Sequence, residues 1–288
     1  MEPAIDKLDL LLDKIGTLVE RMTPPEELPV DFTANLAFRW HQRGEVGRLV
    51  TVSHPHLYDL AELVGVDTIK DEVLRNTAQF VAGFPANNVL LWGERGCGKS
   101  SLVKGMLREF AGRGLRMVEL KRWDLMSLPQ IVAWLRGVPY RFILFCDDLS
   151  FDEGEGDFRA LKTLLDGDIE ERPENVLIYA TSNRRHLMPE HFGESGEGGE
   201  IHPEEAVSEK LALSDRFGIS LGFYCLDQDQ YLEVVRHYAG LRSIERSDGE
   251  LRRLALLWAG SVGRRSGRSA RQFIDDLEGR LLLAGSLL

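Results

Sequence analysis

The chain has 288 residues, of which 43% are hydrophobic and 28% charged, and a formal net charge of −11. That length suits one large core domain with a smaller one, and the composition is that of a globular chain. The acidic balance disfavours generic binding of DNA or RNA, which needs clustered Lys and Arg.

The cysteines, Cys97, Cys146 and Cys225, are far apart and form no CxxC pair. This argues against a disulfide framework or a zinc site and for a reducing compartment. Glu2, Asp6, Asp9 and Asp13 interrupt the N-terminal apolar stretch, which a secretory signal would not tolerate. No apolar run is long enough to span a bilayer. A cytoplasmic protein without a membrane partner is expected.

Leu8, Leu11, Leu12, Ile15, Leu18, Val19 and Met22 recur at helical spacing, so residues 5–22 read as a helix that Pro24 and Pro25 end. Residues 26–50 are mixed, and residues 1–56 together read as an N-terminal helical arm. A helix is expected from Thr68 to Val81. Five short apolar runs follow: Asn88–Trp92, Arg116–Leu120, Phe142–Cys146, Val176–Ala180 and Ser220–Cys225. Helices are expected between them at Ser100–Glu109, Leu128–Leu135 and Asp157–Leu165. Apolar strands alternating with helices imply a parallel sheet covered on both faces, here an α/β core over residues 57–227. Gln228–Tyr238, Asp248–Trp258 and Ser269–Leu283 read as helices of a small domain over residues 228–288. Gly193–Glu200 is glycine-rich and acidic, a loop by composition.

One segment carries specific chemistry. Gly93-Glu94-Arg95-Gly96-Cys97-Gly98-Lys99-Ser100 matches G-x-x-x-x-G-K-[ST] in full, after an apolar strand and before a helix. Its glycines let several N–H groups converge on phosphates at the positive end of a helix dipole. Lys99 then serves the terminal phosphates and the Ser100 hydroxyl a magnesium ion, with Ser101 next to it at the helix start. Cys97 is either a redox-sensitive thiol, its pKa lowered by a helix N-terminus, or a small loop residue with no such role.

Asp147 and Asp148 end the most apolar strand, where two adjacent carboxylates need a cation or a proton. Asp147 fits the acid that holds magnesium, and Asp148 the acid that polarises an attacking water. ATP and Mg2+ are the implied ligands.

These residues resemble the AAA+ class of ATPases from about Leu57 onward. The resemblance implies a five-stranded parallel sheet between helices with a C-terminal helical lid. It places Val64 and Gly65 next to the adenine. It makes Asn183, at the end of Ala180-Thr181-Ser182-Asn183, the polar "sensor 1" residue. It makes Arg216, in Leu213-Ser214-Asp215-Arg216-Phe217-Gly218, an arginine finger directed at a neighbouring subunit's nucleotide. It offers Arg268 first and Arg271 second as the "sensor 2" arginine. An arginine acting in trans implies a homo-oligomer, by resemblance a ring of six.

Pro85–Gly93, Phe142–Phe151 and Tyr179–Glu190 further resemble a bacterial family of single-domain AAA+ proteins of unknown function. One departure is Asp148, where many motors of the class carry the longer Glu, so slow turnover is expected.

Three uses of ATP fit these features. The first is remodelling or gating of a protein partner, favoured by the acidic charge, the acidic loop from Glu190 to Glu205 and the helical N-terminal arm; Trp123 then either grips a polypeptide or packs inside the sheet–helix layer. The second is a helicase-loader or initiator-like nucleic-acid factor, favoured by the paired aspartates and an arginine-rich C-terminal part. The third is a weakly hydrolysing nucleotide-dependent scaffold. No helix-turn-helix or zinc pattern supports the second.

Overall fold

Phe142-Ile143-Leu144-Phe145-Cys146 has no polar side on which to meet water. In the computed structural model, which describes residues 30–43, 46–150, 161, 165, 173–183 and 215–286, it lies at the centre of a seven-stranded sheet. The strands are β1 (Ala37–Arg43), β2 (Val46–Thr51), β3 (Val89–Gly93), β4 (Leu115–Leu120), β5 (Arg141–Cys146), β6 (Val176–Ser182) and β7 (Ile219–Phe223). Their spatial order is β2-β1-β4-β5-β6-β3-β7, with only the β1–β2 pair antiparallel. The five expected strands are all present.

The five-strand count is corrected to seven by a hairpin from within residues 1–56, where a helical arm was expected. Phe38 and Trp40 are buried while Arg39 and His41 are exposed, the period-two alternation of a strand with one covered face. Phe38 meets the ring of Phe32 edge-on at 5.0 Å, and Phe32 meets Phe142 at 5.2 Å, so aromatic packing draws the hairpin onto the sheet. The expected helix at residues 5–22, the acidic loop at 193–200, Leu213 and Ser214, and nearly all of the helix expected at Asp157–Leu165 lie outside the described residues.

Six α-helices are described: α1 (Asp67–Val81), α2 (Lys99–Phe110), α3 (Leu128–Leu135), α4 (Gln228–Leu241), α5 (Asp248–Val262) and α6 (Gly267–Ser286). Helix α1 is tied to the sheet by a buried polar knot, in which Asn76 Nδ2 and the Thr77 hydroxyl lie 3.1 and 2.8 Å from the Tyr179 hydroxyl of β6. Such a knot costs little because its members satisfy one another.

Helices α4–α6 enclose a separate apolar cluster that includes Tyr231, Val235, Ala255, Phe273 and Ile274. Val64 and Leu226 pack against it, and the Tyr58 and Tyr238 hydroxyls meet at 3.1 Å. Among the described residues no helix is long and apolar enough to cross a membrane.

Candidate nucleotide-binding site

Register brings the chemistry together. Trp92 of β3 pairs with Ser182 of β6, and Cys146 of β5 pairs with Ala180. The C-terminal ends of these three strands therefore release Gly93, Asp147 and Asn183 at one level, where open α/β sheets bind ligands.

The glycine loop connects β3 to α2. Gly93 has φ 125°, and a Cβ there would sit 1.9 Å from the Phe223 carbonyl oxygen; only glycine fits. Gly98 caps α2 at φ 100°, leaving the N–H groups of the first turn without intrahelical partners.

Inside the loop, Lys99 is buried and its Nζ donates to the carbonyl oxygens of Gly93 and Glu94 at 2.7 Å each and to Asn183 Oδ1 at 3.4 Å. Burial pushes its pKa down, so an anion arriving beside it would relieve the cost of carrying charge there. Burial also pushes the Cys97 thiol up. A protonated, enclosed thiol is a poor redox sensor, which favours the plain structural reading of Cys97.

Ser100 donates to Asp147 Oδ1 at 2.6 Å. The Thr181 hydroxyl donates to the same oxygen at 2.6 Å and accepts from the Asp148 amide at 2.9 Å. Thr181, buried in β6, thus spaces the two acids; sequence reasoning passed over it, although a hydroxyl closing an apolar strand was a visible signal. Asp148 adopts φ 55°, a left-handed conformation that Asp tolerates better than most residues. Its carboxylate accepts from Asn183 Nδ2 and lies 3.6 Å from Arg95 Nη2.

A cleft of ≈ 600 Å³ runs from these groups to helices α4 and α6. Val64, Gly65, Arg95 through Ser101, Asp147, Asp148, Asn183, Arg268 and Arg271 all line it. Gly93 and Glu94 lie behind its wall as acceptors for Lys99. The Arg268 amide donates to the Gly96 carbonyl at 3.1 Å, joining the start of α6 to the glycine loop, whereas Arg271 approaches Glu62 at 4.0 Å. Tyr58, Gln230, Val234 and Tyr238 complete the opposite wall. No motif marked them, because they converge only when α4 folds back.

Arg216 is not brought to this cleft. It precedes β7, and Ile219 pairs with Val89 while Phe223 pairs with Gly93. It therefore lies past the far end of β7, with roughly 13 Å of strand in between.

The donor set suits the expected ligands. Among the described residues no group of three or more His, Cys, Asp or Glu could hold a metal by itself. A hydroxyl and a carboxylate 2.6 Å apart are what a magnesium ion takes when phosphates and waters complete its shell.

A glycine loop between strand and helix, paired acids on the central strand and a group of C-terminal helices define an AAA+-type P-loop fold. Residues 33–281 match the family model described as protein of unknown function (DUF815), and the chain belongs to that family. The replication factor C large subunit of Staphylothermus marinus is 24% identical over 227 residues, covering 76% of this chain and 45% of that one. The chain thus spans less than half of that relative.

The structure of the Thermotoga maritima RuvB Holliday junction branch migration motor matches with a TM-score of 0.53 at 18% identity, covering 79% of this chain and 66% of that one. A variant of the same motor gives 0.54 at 18% identity with the same coverage. At these identities the likeness shows the fold alone.

Proposed function

We propose that this chain binds and hydrolyses ATP and uses the cycle to remodel or gate a protein partner. The observation that supports it best is the convergence of Lys99, Ser100, Asp147, Asp148 and Asn183 at the carboxyl ends of β3, β5 and β6. The adenine fits against Val64 and Gly65, with the triphosphate along the glycine loop and the lid arginines Arg268 and Arg271 closing over it. Ser100 and Asp147 would hold magnesium, which spreads the charge of the phosphate oxygens.

In the hydrolytic step Asp148 polarises a water and Asn183 positions it. The water oxygen bonds to the terminal phosphorus as the bond to the bridging oxygen breaks, leaving ADP and phosphate. Arg216 of a second copy, entering from outside the cleft, neutralises charge that develops in the transition state. This makes a homo-oligomer, by likeness to the class a hexamer, the working unit.

Exposed Trp123 and Met126 (70% and 61%) favour a polypeptide as the substrate of the cycle. In the cytoplasm such an assembly would meet its partner in solution.

The test is direct. Lys99→Ala should lose binding of a fluorescent ATP analogue. Asp148→Asn should keep that binding, lose turnover and retain its protein partner in a pull-down. A chain that binds no ATP refutes the proposal.

A second reading, a nucleic-acid factor, is favoured by the names of two similar proteins, a replication factor and a Holliday junction motor. It predicts that DNA accelerates turnover and that added salt abolishes the effect. Turnover indifferent to DNA at low salt removes it.

A further inference from the structure

The glycine loop carries a cation that none of the roles above uses. Arg95 Nη2 lies 3.6 Å from Asp148 Oδ2, while Asp148 Oδ1 accepts from Asn183. The acid that must polarise water is therefore held before any water arrives, one oxygen by a hydrogen bond from Asn183 and the other by the charge of Arg95. Asn183 is in turn reached by Lys99, so the loop grips the acid from two sides, by Arg95 directly and by Lys99 through Asn183. The Arg95 and Asp148 side chains are 66% and 59% exposed, and an ion pair so open to solvent is held weakly. Arg95 lines both the cleft and a second groove of ≈ 980 Å³ against the turn between α5 and α6, which gives its guanidinium room to swing out of the cleft.

We infer that Arg95 is a positioning residue that latches Asp148 in a non-productive state, so that turnover waits on the fraction of sites in which the pair has opened. This rests on the ATPase reading above. A weak pair makes the latch leaky: at the strength usual for exposed pairs, closed sites outnumber open ones by a small factor. Removing the latch should then raise kcat by roughly two- to six-fold.

The experiment measures steady-state ATP turnover and fluorescent-nucleotide affinity for the full chain and for Arg95→Met, each with and without Asp148→Asn. The expected result is a higher kcat for Arg95→Met, a KM for ATP within two-fold of wild type, and loss of the gain in the double variant. If wild type binds ATP without measurable turnover, Arg95→Met must gain turnover.

A raised KM at unchanged kcat would make Arg95 a phosphate ligand and overturn the inference. An unchanged or lower kcat would overturn it too, as would a gain that survives Asp148→Asn. Absence of nucleotide binding by the wild-type chain is a separate outcome, which removes the ATPase reading and the latch with it.

Discussion

Thr181 shows how much one hydroxyl can settle. It is 1% exposed, donates to Asp147 and accepts from the Asp148 amide. Thr181→Val keeps the shape of the side chain but removes the acceptor of that part-buried amide, so a loss of about 1 kcal/mol in unfolding free energy is expected by urea titration. Turnover should fall with it, because Asp148 loses its anchor.

The three thiols differ for equally local reasons. Cys97 and Cys146 are buried, and burial pushes Cys146 up to about 12. Cys225 is exposed, yet the Glu94 side chain beside it holds its thiol up at about 11. The reactive form is the thiolate, and a raised pKa leaves less of it at neutral pH. Alkylation followed by mass spectrometry should mark Cys225 first, slowly near pH 8, with a rate still rising past pH 9 where an ordinary thiol levels off.

Among the elements, the short 3-10 turn Arg122–Ser127 after β4 is organised by a buried acid. The Asp124 carboxylate accepts from the Lys121 amide at 2.8 Å, and the Asp124 amide donates back to the Lys121 carbonyl at 2.8 Å. That closed box holds Trp123 out in solvent, with Lys121 Nζ 5.0 Å from its ring centre. Of the two readings open for Trp123, burial within the sheet–helix layer is excluded. Trp123→Ala should leave stability within about 0.5 kcal/mol of wild type, as surface changes do, while lowering stimulation of turnover by a protein partner. Equal stimulation of the two forms would separate Trp123 from substrate handling.

The two elements that sequence reading did not recover, β1 and β2, each had a signal too short to stand alone. Phe38-Arg39-Trp40-His41 alternates over only four residues, and its meaning depends on whether a sheet is there to bury Phe38.

At the scale of the molecule, the nucleotide cleft and Arg216 sit at opposite ends of β7. Under the proposed shared site, in which Arg216 serves the cleft of another copy, Arg216→Ala should keep ATP binding and lose turnover by ten-fold or more. Mixing it with Lys99→Ala, which has an intact arginine but no working cleft, should restore part of the activity. Turnover by a stable monomer, or a mixture that stays inactive, would remove the shared-site reading; mass measurement with and without ATP checks the assembly itself.

Residue types and their spacing were sufficient for the sheet–helix alternation, the glycine loop, the paired acids and the helical C-terminal part. Each of these is set by neighbours within a few residues: a buried strand must be apolar on both faces, and a loop that receives phosphate must spare its Cβ atoms. What only tertiary structure could decide were the contacts made across the chain. Thr181 between two acids, Tyr58 against Tyr238, the Arg268 amide on Gly96 and Arg95 facing Asp148 join segments whose meeting depends on strand order and on α4–α6 folding back over the core. No local pattern encodes such meetings, because their free energy comes from burial and hydrogen bonding that exist only once the sheet has assembled.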